Sequence, residues 1–263
     1  MCIRDSSKVS KYYADAFRLV CPGVNIVMGT ELYDSKKEYW AELVKFTKHM
    51  SLARTMRTLT IMGRSENEEK IDLAKLLYPP MQAADIHSLD LDIVHAGMDQ
   101  RKIHMLVREI FPKMGWKVPV AVHHSLLPGL TQPKDTSSTE PGKMSKSDPN
   151  SGIFIHNTDD EIRKKIRKGW CEEGLTEGNP VLEIARQVVF HEYDSISIER
   201  PEKFGGNVTY NSYEELESDF GKKNLHPGDL KNTIGEYMVK IIAPIRDKIS
   251  LSDELYELIK NSH

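Results

Sequence analysis

The stretch from Leu91 to Val122, LDIVHAGMDQRKIHMLVREIFPKMGWKVPVAV, decides the fold class of this chain. Its first residues, Leu91 to Val94, form a short apolar run typical of a buried strand, and a glycine-containing turn follows. Residues 99–114 predict a helix, and Pro119 to Val122 predict a second short strand. Short apolar strands that alternate with long helices indicate a parallel sheet, so the predicted fold class is α/β.

The sequence before this stretch extends the same alternation. Apolar residues at helical spacing predict a helix over 8–20, and Val24 to Met28 predict a short buried strand. Ser35 and Glu38 have the spacing of a capping box for the next helix. Pro79-Pro80 predicts a break between two helical patterns, because proline disrupts the helical hydrogen-bond ladder.

The sequence after this stretch changes in composition. Residues 128–150 are rich in Gly, Pro, Ser, Thr and Lys and lack periodicity, which indicates a long functional or disordered loop. Thr158 and Glu161 then predict a capped helix. The other predicted elements are helices over 180–190, 212–220 and 226–249 and a short β-like stretch around 195–199. We therefore predict an α/β domain over 1–157 and a mostly helical domain over 158–263.

The bulk composition is that of an ordinary globular protein. The chain has 263 residues, 39% of them hydrophobic and 29% charged, with a net charge of -3 that excludes a uniformly basic surface. No apolar run approaches the ~20 residues of a membrane span, so we expect no membrane partner. The three cysteines, Cys2, Cys21 and Cys171, are odd in number and far apart, which favours a reduced, cytoplasmic setting.

The long loop contains the sharpest local signal, Gly142-Lys143-Met144-Ser145-Lys146-Ser147. Two ammonium groups and two hydroxyls behind a glycine suit a flexible clamp on a polyphosphate, because lysines supply point charges while serine and backbone N–H groups donate hydrogen bonds. The alternative is a solvated Lys/Ser loop. The sequence contains no P-loop, no dinucleotide-binding glycine motif, no H-E-x-x-H motif, no ligand cluster with zinc spacing and no serine-hydrolase elbow.

A second signal is a polar stripe in an apolar setting. Tyr78, Gln82 and Asp85 are spaced so that they share one face of a helix. Gln100 follows the strand at Leu91 to Val94, where ligands of open α/β sheets bind. The stripe is therefore either a ligand pocket or a solvated helix face on which Asp85 caps or pairs.

Together these strings resemble one family over residues 8–249. The loop is the K-M-S-K-S signature of class I aminoacyl-tRNA synthetases, and Tyr78 to Ile86 with Gly97 to Lys102 resembles the tyrosine-binding region of archaeal and eukaryotic tyrosyl-tRNA synthetases. The resemblance implies an incomplete Rossmann-like catalytic domain followed by a helical anticodon-binding domain. It also implies ATP-dependent activation of L-tyrosine and transfer to tRNA(Tyr), with Mg²⁺ accompanying ATP and a homodimer as the usual assembly.

The resemblance also assigns roles to single residues. In the loop it implies that Lys143 and Lys146 are catalytic and that they bind ATP together with Met144, Ser145 and Ser147. In the tyrosine-binding region it implies that Tyr78, Gln82 and Gln100 hold the ammonium and carboxylate end of the substrate, while Asp85 accepts a hydrogen bond from the phenol. Because the substrate carboxylate itself attacks the α-phosphate, His87, His95 and His104 are interpreted as structural or peripheral residues.

Basic and aromatic residues supply the implied tRNA contacts. The resemblance implies that Arg57, Arg101 and Lys102 recognise the first base pair of the acceptor stem, with solvated surface charges as the alternative. It further implies that Phe204, His226 and Asp229 belong to the anticodon site, where Phe204 stacks on a base and Asp229 accepts from the guanine edge. In the alternative interpretation, Phe204 is a core residue and Asp229 is the N-cap of the next helix.

The family pattern breaks at the beginning of the chain. Residues 1–7 have no period and are interpreted as a cloning or assembly scar, with a frayed native terminus as the alternative. The sequence contains no H-x-G-H motif of the kind that holds ATP in this class. We therefore expect an N-terminally truncated chain that is inactive, or nearly so, by itself.

Two other functions remain open at this point. A tryptophanyl-tRNA synthetase shares the fold and a similar loop, although Asp85 with Gln100 suits a phenol better than an indole. A non-catalytic tRNA-binding module would use only the region around Phe204 and Asp229.

Overall fold

A computed structural model describes residues 3–59, 72–132, 144, 148, 150–249 and 251–260. Contacts divide the chain into two compact units, which we call the α/β unit (Asn25–Leu126) and the helical unit (Met1–Val24 with Leu127–His263). The borders between these units fall after Val24 and after Leu126. The domain boundary near residue 157 stays a prediction. Within the described residues, no helix is long and apolar enough to cross a membrane.

Helix α1 (Ile3–Val20) belongs to the helical unit. Its buried residues Val9 and Tyr12 form a small core with Ile259 near the end of the chain, whereas Phe17 is 61% exposed. The helix predicted over 8–20 is therefore confirmed, but it begins at Ile3, inside the stretch that was interpreted as an aperiodic scar. Its apolar face is used only in part. Its packing partner lies some 240 residues further along the chain, beyond the reach of any local sequence pattern.

The α/β unit is built around the βαβ segment that the opening stretch predicts. Its elements are α2 (Gly29–Ser35), α3 (Tyr39–Thr47), α4 (Leu52–Thr58), α5 (Leu73–Ser88), β1 (Ile93–Gly97), α6 (Arg101–Met114) and β2 (Val120–His124). The two strands pair in parallel, with Ile93 opposite Val120 and Gly97 opposite His124. Phe46, Ile110 and Phe111 are fully buried in the core of this unit. The prediction of parallel strands joined by a helix is confirmed.

Three local predictions for this region are wrong. Val24 to Met28 forms no strand, and Val27 is 44% exposed. The Ser35 hydroxyl donates back to the Leu32 carbonyl at 2.9 Å and closes α2, while the N-cap of α3, Glu38, makes no side-chain capping bond. Pro79-Pro80 lies inside α5 and is buried, so the packing of this helix compensates for the two missing N–H donors.

The helical unit carries the remaining elements. These are α7 (Asp159–Lys168), α8 (Pro180–Ile184), a π-helical turn (Ala185–Val189), α9 (Phe190–Glu192), β3 (Ile196–Ile198), β4 (Val208–Tyr210), α10 (Tyr213–Gly221), α11 (Pro227–Arg246) and α12 (Asp253–Lys260). Ile162, Leu182 and Ile234 are fully buried in its core. The capping box of α7 is confirmed, because Thr158 N–H donates to Glu161 at 2.8 Å and Glu161 N–H donates to the Thr158 hydroxyl. Strand β3 was predicted, whereas its antiparallel partner β4 was not.

Candidate active site and RNA-contacting surfaces

The predicted polar stripe lies on α5, which continues through Pro79-Pro80. Tyr78, Gln82 and Asp85 follow one another on a single helix face, as their spacing predicts. Tyr78 is 50% exposed, whereas Gln82 and Asp85 are half-buried. The stripe therefore descends from the surface into the α/β unit.

Asp85 is fixed by a buried tyrosine that the sequence analysis did not single out. The Tyr39 hydroxyl donates to Asp85 Oδ1 at 2.6 Å, and Tyr39 itself is completely buried. Burial raises the pKa of the Asp85 carboxyl, and the hydrogen bond from Tyr39 lowers it in part. Burial and the same carboxylate hold the pKa of the Tyr39 phenol far above its usual range, so the hydroxyl stays a donor. Within the described residues, Asp85 Oδ2 accepts no hydrogen bond.

A second tyrosine completes the wall around this carboxylate. The rings of Tyr33 and Tyr39 lie 4.5 Å apart, and both contact Trp40. Burial, followed by the charge of Asp85, raises the pKa of Tyr33. The sequence signal for this wall is the density of aromatic residues over 33–40, which periodicity alone does not connect to Asp85.

Gln82 presents an unpaired acceptor. Its Oε1 atom is buried and has no hydrogen-bond partner among the described residues. Buried polar atoms are rarely left unsatisfied, and an exception requires an explanation. The chemistry that fits this atom is a donor group, such as an ammonium, placed beside the α5 stripe.

Gln100 lies at the carboxyl end of β1, where the sequence places it. It closes a 3₁₀ turn (Met98–Gln100) and is half-buried. Gly97, just before this turn, allows the side chains of Asp99 and Leu126 to approach the backbone closely. A Cβ atom at this position would lie 2.7 Å from both Asp99 Oδ1 and Leu126 Cδ2.

The three histidines that were interpreted as structural each contact another side chain. His87 stacks on Trp116 with ring centroids 3.7 Å apart. His95 lies 3.1 Å from the His124 ring nitrogen. The buried His104 lies 2.9 Å from His123. Burial, and then His123, lower the pKa of His104.

Most of the predicted phosphate-binding loop lies outside the described residues. The residues that lie outside the description include Lys143, Ser145, Lys146 and Ser147. Met144 is described and packs beside Gly152.

Hydrogen bonds fix the first and last residues of the segment that contains this loop, which we call the base of the loop. Leu130 N–H donates to the Ser151 carbonyl at 2.9 Å, and Trp170 N–H donates to the Leu130 carbonyl at 2.7 Å. The Ser151 hydroxyl donates to the Asp148 carbonyl at 2.7 Å. The two ends of the segment 131–150 are therefore tied together and to the end of α7.

Lys165 strengthens the same base from α7. Its Nζ donates to the Gly152 carbonyl and to Asn157 Oδ1, both at 2.9 Å, and lies 4.6 Å from the centre of the Phe154 ring. Burial lowers the pKa of this ammonium group. Lys165 carries no sequence signal, because its partners are a backbone oxygen and an amide that belong to no motif.

The three predicted acceptor-stem residues are all exposed. Arg57 lies on α4, and Arg101 with Lys102 opens α6. Arg54, which shares a helix face with Arg57 in the sequence, forms an ion pair with Glu109. The structure therefore places Arg101 and Lys102 together and assigns Arg54 to packing between helices.

A cavity of ≈ 430 Å³ in the helical unit contains two of the predicted anticodon residues, His226 and Asp229, together with Arg200. His226 is the N-cap of α11, since its Nδ1 accepts from Gly228 N–H at 3.0 Å. The alternative in which Asp229 is the N-cap is therefore wrong. Asp229 lies in the first turn of α11 and is half-buried in the cavity.

Phe204 is described only by its backbone. It closes a 3₁₀ turn (Glu202–Phe204), and its side chain lies outside the described part of the structure. The next residue, Gly205, has a φ of 99°, which only glycine adopts without strain. Arg200 holds this turn through a 2.7 Å bond from Nε to the Gly206 carbonyl.

Comparisons with known proteins decide the family. The family model "tRNA synthetases class I (W and Y)" matches residues 4–243. The chain belongs to this family. A tyrosine–tRNA ligase from Aeropyrum pernix is 42% identical over 94% of this chain and 70% of its own length, and one from Thermococcus sibiricus is 43% identical over 90% and 68%.

Solved structures give the same result. Tyrosyl-tRNA synthetase from Pyrococcus horikoshii, crystallised with L-tyrosine, matches with a TM-score of 0.88 and 38% identity, covering 98% of this chain and 76% of the other. The predicted archaeal type, class I synthetase fold and tyrosine–tRNA ligase function are confirmed, and the tryptophan-specific alternative is not favoured.

Proposed function

We propose that this chain binds L-tyrosine along the polar face of α5 and activates it with ATP for transfer to tRNA(Tyr). One observation carries the proposal. The fixed Asp85 carboxylate and the unpaired buried Gln82 Oε1 share one helix face, seven and four residues beyond Tyr78.

Asp85 supplies the specificity in this proposal. Tyr39 occupies Oδ1, and Oδ2 accepts from the substrate phenol. A phenylalanine ring offers no donor and leaves Oδ2 unpaired once the bound ring excludes water, which costs about 1–3 kcal/mol.

Tyr78, Gln82 and Gln100 hold the other end of the amino acid. The unpaired Gln82 oxygen accepts from the substrate ammonium, which satisfies the one orphaned acceptor of the stripe. The Tyr78 hydroxyl and the Gln100 amide supply the remaining polar contacts. The substrate carboxylate is then available as the nucleophile.

ATP enters as its magnesium complex, as a substrate. The phosphates of ATP and solvent supply the oxygen ligands that Mg²⁺ prefers. Lys143 and Lys146, with Ser145, Ser147 and the Met144 backbone, neutralise charge on the phosphates as the tyrosine carboxylate attacks the α-phosphate and pyrophosphate leaves.

The proposed tRNA contacts are divided between residues of the α/β unit and residues of the helical unit. Arg57, Arg101 and Lys102 bind the acceptor end, while Phe204, His226 and Asp229 bind the anticodon. Asp229 accepts from the guanine edge inside the cavity that it lines. We further propose a homodimer and a cytoplasmic location for this activity.

Amino-acid-dependent ATP–pyrophosphate exchange tests the proposal. Tyrosine, tryptophan and phenylalanine are offered separately to the chain. Exchange that depends on tyrosine supports the proposal and overturns the expectation that this chain is inactive by itself. Exchange that prefers tryptophan or phenylalanine contradicts the proposal. Absence of exchange contradicts the activation step for this chain, and direct binding of tyrosine then tests the α5 site separately.

A further inference from the structure

A second groove in the helical unit lies outside the proposed anticodon cavity. It has a volume of ≈ 450 Å³ and lies between α7, α11 and the middle of β3. Arg163 and Arg167 line it from α7, and Lys231 and Lys240 line it from α11. None of these four residues has a role in the site described above.

Arg163 is structural. Its guanidinium forms two bonds to Glu236, at 2.7 and 3.0 Å, and a third to Asp160 at 3.3 Å. The carboxylate of Glu236 raises the pKa of Arg163, and Arg163 lowers the pKa of Glu236. This pair joins α7 to α11 and leaves no net charge on the groove floor.

The other three cations are not neutralised in this way. Within the described part of the chain, no carboxylate lies in ion-pairing distance of Arg167, Lys231 or Lys240. Lys231 Nζ donates only to the Arg167 carbonyl at 3.3 Å, and Lys240 Nζ lies 5.0 Å from the centre of the Tyr237 ring. Glu199 is the one further acid in the lining, so the groove is positive.

The polar lining suits phosphodiester oxygens. The groove also presents the Ser197 and Thr233 hydroxyls and the Asn232 amide. Arginine, lysine, hydroxyl and amide donors are the groups that contact nucleic-acid phosphates and sugars without reading sequence.

The position of the groove on α11 favours RNA as its ligand, given the anticodon role proposed for Asp229. The same helix carries Asp229 in its first turn and Lys240 eleven residues later, about 16 Å along the axis at 1.5 Å per residue. A stacked strand places several phosphates within this length. An RNA whose base lies at Asp229 therefore has its backbone within reach of Lys240.

We propose that this groove binds backbone phosphates of tRNA next to the anticodon, as a sequence-independent contact. The proposal rests on the tRNA-binding function proposed above. Arg167 and Lys240 supply the charges, while the Arg163–Glu236 pair fixes the spacing of the two helices that carry them.

The test compares two charge-matched double variants of the full chain. R167Q/K240Q removes the groove cations, and K11Q/K248Q removes two exposed lysines that do not line the groove. The probes are a tRNA(Tyr) transcript and the same transcript with its anticodon guanine replaced. Binding of each is measured by fluorescence anisotropy over a range of salt concentrations.

R167Q/K240Q is expected to weaken binding of both transcripts by the same factor. Each lost phosphate contact on a single strand lowers the salt exponent by about 0.7, which corresponds to about fourfold in affinity at ~0.15 M salt and on the order of fifteenfold for two contacts. K11Q/K248Q is expected to change neither the affinity nor the slope by comparable amounts.

Two results overturn the proposal in distinguishable ways. If the unmodified chain binds tRNA and R167Q/K240Q binds as tightly and with the same salt slope, the groove assignment alone is wrong. A loss that is equal in both double variants has the same meaning, because it reflects net charge. If the unmodified chain binds neither transcript, the proposed tRNA-binding function fails together with the groove.

Discussion

Asp85 and Tyr39 form the residue pair on which the proposed tyrosine site depends. Their 2.6 Å bond opposes the effect of burial, which raises the pKa of the Asp85 carboxyl. The ionised carboxylate accepts a hydrogen bond from a substrate phenol more strongly than the protonated carboxyl does, so Tyr39 keeps the stronger acceptor at lower pH.

Tyr39→Phe is therefore expected to raise the pKa of Asp85 further. Tyrosine affinity should then begin to fall at a higher pH than in the unmodified chain, because the carboxyl becomes protonated earlier as the pH is lowered. Calorimetric titration with tyrosine between pH 4 and 8 measures the shift. Tyr193→Phe, in the helical unit, is the control, and identical pH profiles for Tyr39→Phe and the unmodified chain would contradict the role of Tyr39.

Gly205 is a second single-residue determinant. Its φ of 99° is unfavourable for any side chain, and a Cβ atom would lie 3.1 Å from Arg200 Nη2. Gly205→Ala is expected to cost about 1–2 kcal/mol in the free energy of unfolding. Urea unfolding measures the cost. Gly23→Ala is the matched control, since nothing lies within 4 Å of its Cβ position, and an equal effect of both changes would refute the strain.

At the scale of elements, α7 holds the base of the predicted phosphate-binding loop. Lys165 bonds to the Gly152 carbonyl and to Asn157, while its neighbour Lys164 is exposed. The two ends of the segment 131–150, which contains the residues assigned to ATP in the proposed mechanism, are therefore fixed.

Lys165→Met is expected to destabilise the helical unit by about 1–3 kcal/mol, because it leaves these acceptors unpaired. It is also expected to lower kcat for pyrophosphate exchange while leaving KM for tyrosine unchanged, since the proposed tyrosine site is formed by residues of the α/β unit. Lys164→Met is the control on the same helix. An unchanged kcat in a destabilised Lys165→Met variant would show that the anchor is structural only.

The pairing of α6 with β2 introduces a pH dependence. Burial and His123 lower the pKa of His104 below its ordinary 6.5, so the unfolded chain binds the proton more tightly than the folded one. Neutral His104 is therefore accommodated without cost above pH 6.5. The free energy of unfolding decreases as the pH falls from 6.5 through the pKa of His104 in the folded chain.

His104→Gln is expected to flatten the loss of stability between pH 7.5 and 5.5. Urea unfolding followed by Trp40 and Trp116 fluorescence in a Trp170→Phe background reports on the α/β unit. His191→Gln, at an exposed position, should retain the slope of the unmodified chain. A His104→Gln slope equal to that of the control would disprove the assignment.

At the scale of the whole molecule, local patterns predicted the elements better than their partners. The strand–helix–strand stretch from Leu91 to Val122 and the Thr158 capping box depend on neighbours in sequence, and both are confirmed. The packing of α1 on α12 and the pairing of β4 with β3 are decided by contacts that periodicity does not contain. Pro79-Pro80 is a local pattern that gave a wrong prediction. The pair predicts the end of a helix, but both prolines are buried inside α5, and their packing keeps the helix continuous.

The same distinction applies to the site. Helical spacing and the carboxyl end of a strand predicted the stripe of Tyr78, Gln82 and Asp85 and the position of Gln100. Tyr39 and Lys165 were missed, because each acts through a partner that is remote in sequence or belongs to the backbone. Their discovery required the three-dimensional arrangement.

The most direct test of the account is calorimetric binding of tyrosine and phenylalanine to the unmodified chain, Asp85→Ala and Asp92→Ala, with circular dichroism verifying the fold. The unmodified chain and Asp92→Ala, which loses an exposed carboxylate of the same unit, should bind tyrosine in preference to phenylalanine. Asp85→Ala should lose about 1.5–3 kcal/mol of tyrosine binding, roughly ten- to hundredfold, and with it the preference. A folded Asp85→Ala variant that retains both the affinity and the preference would contradict the assignment of the α5 face as the tyrosine site.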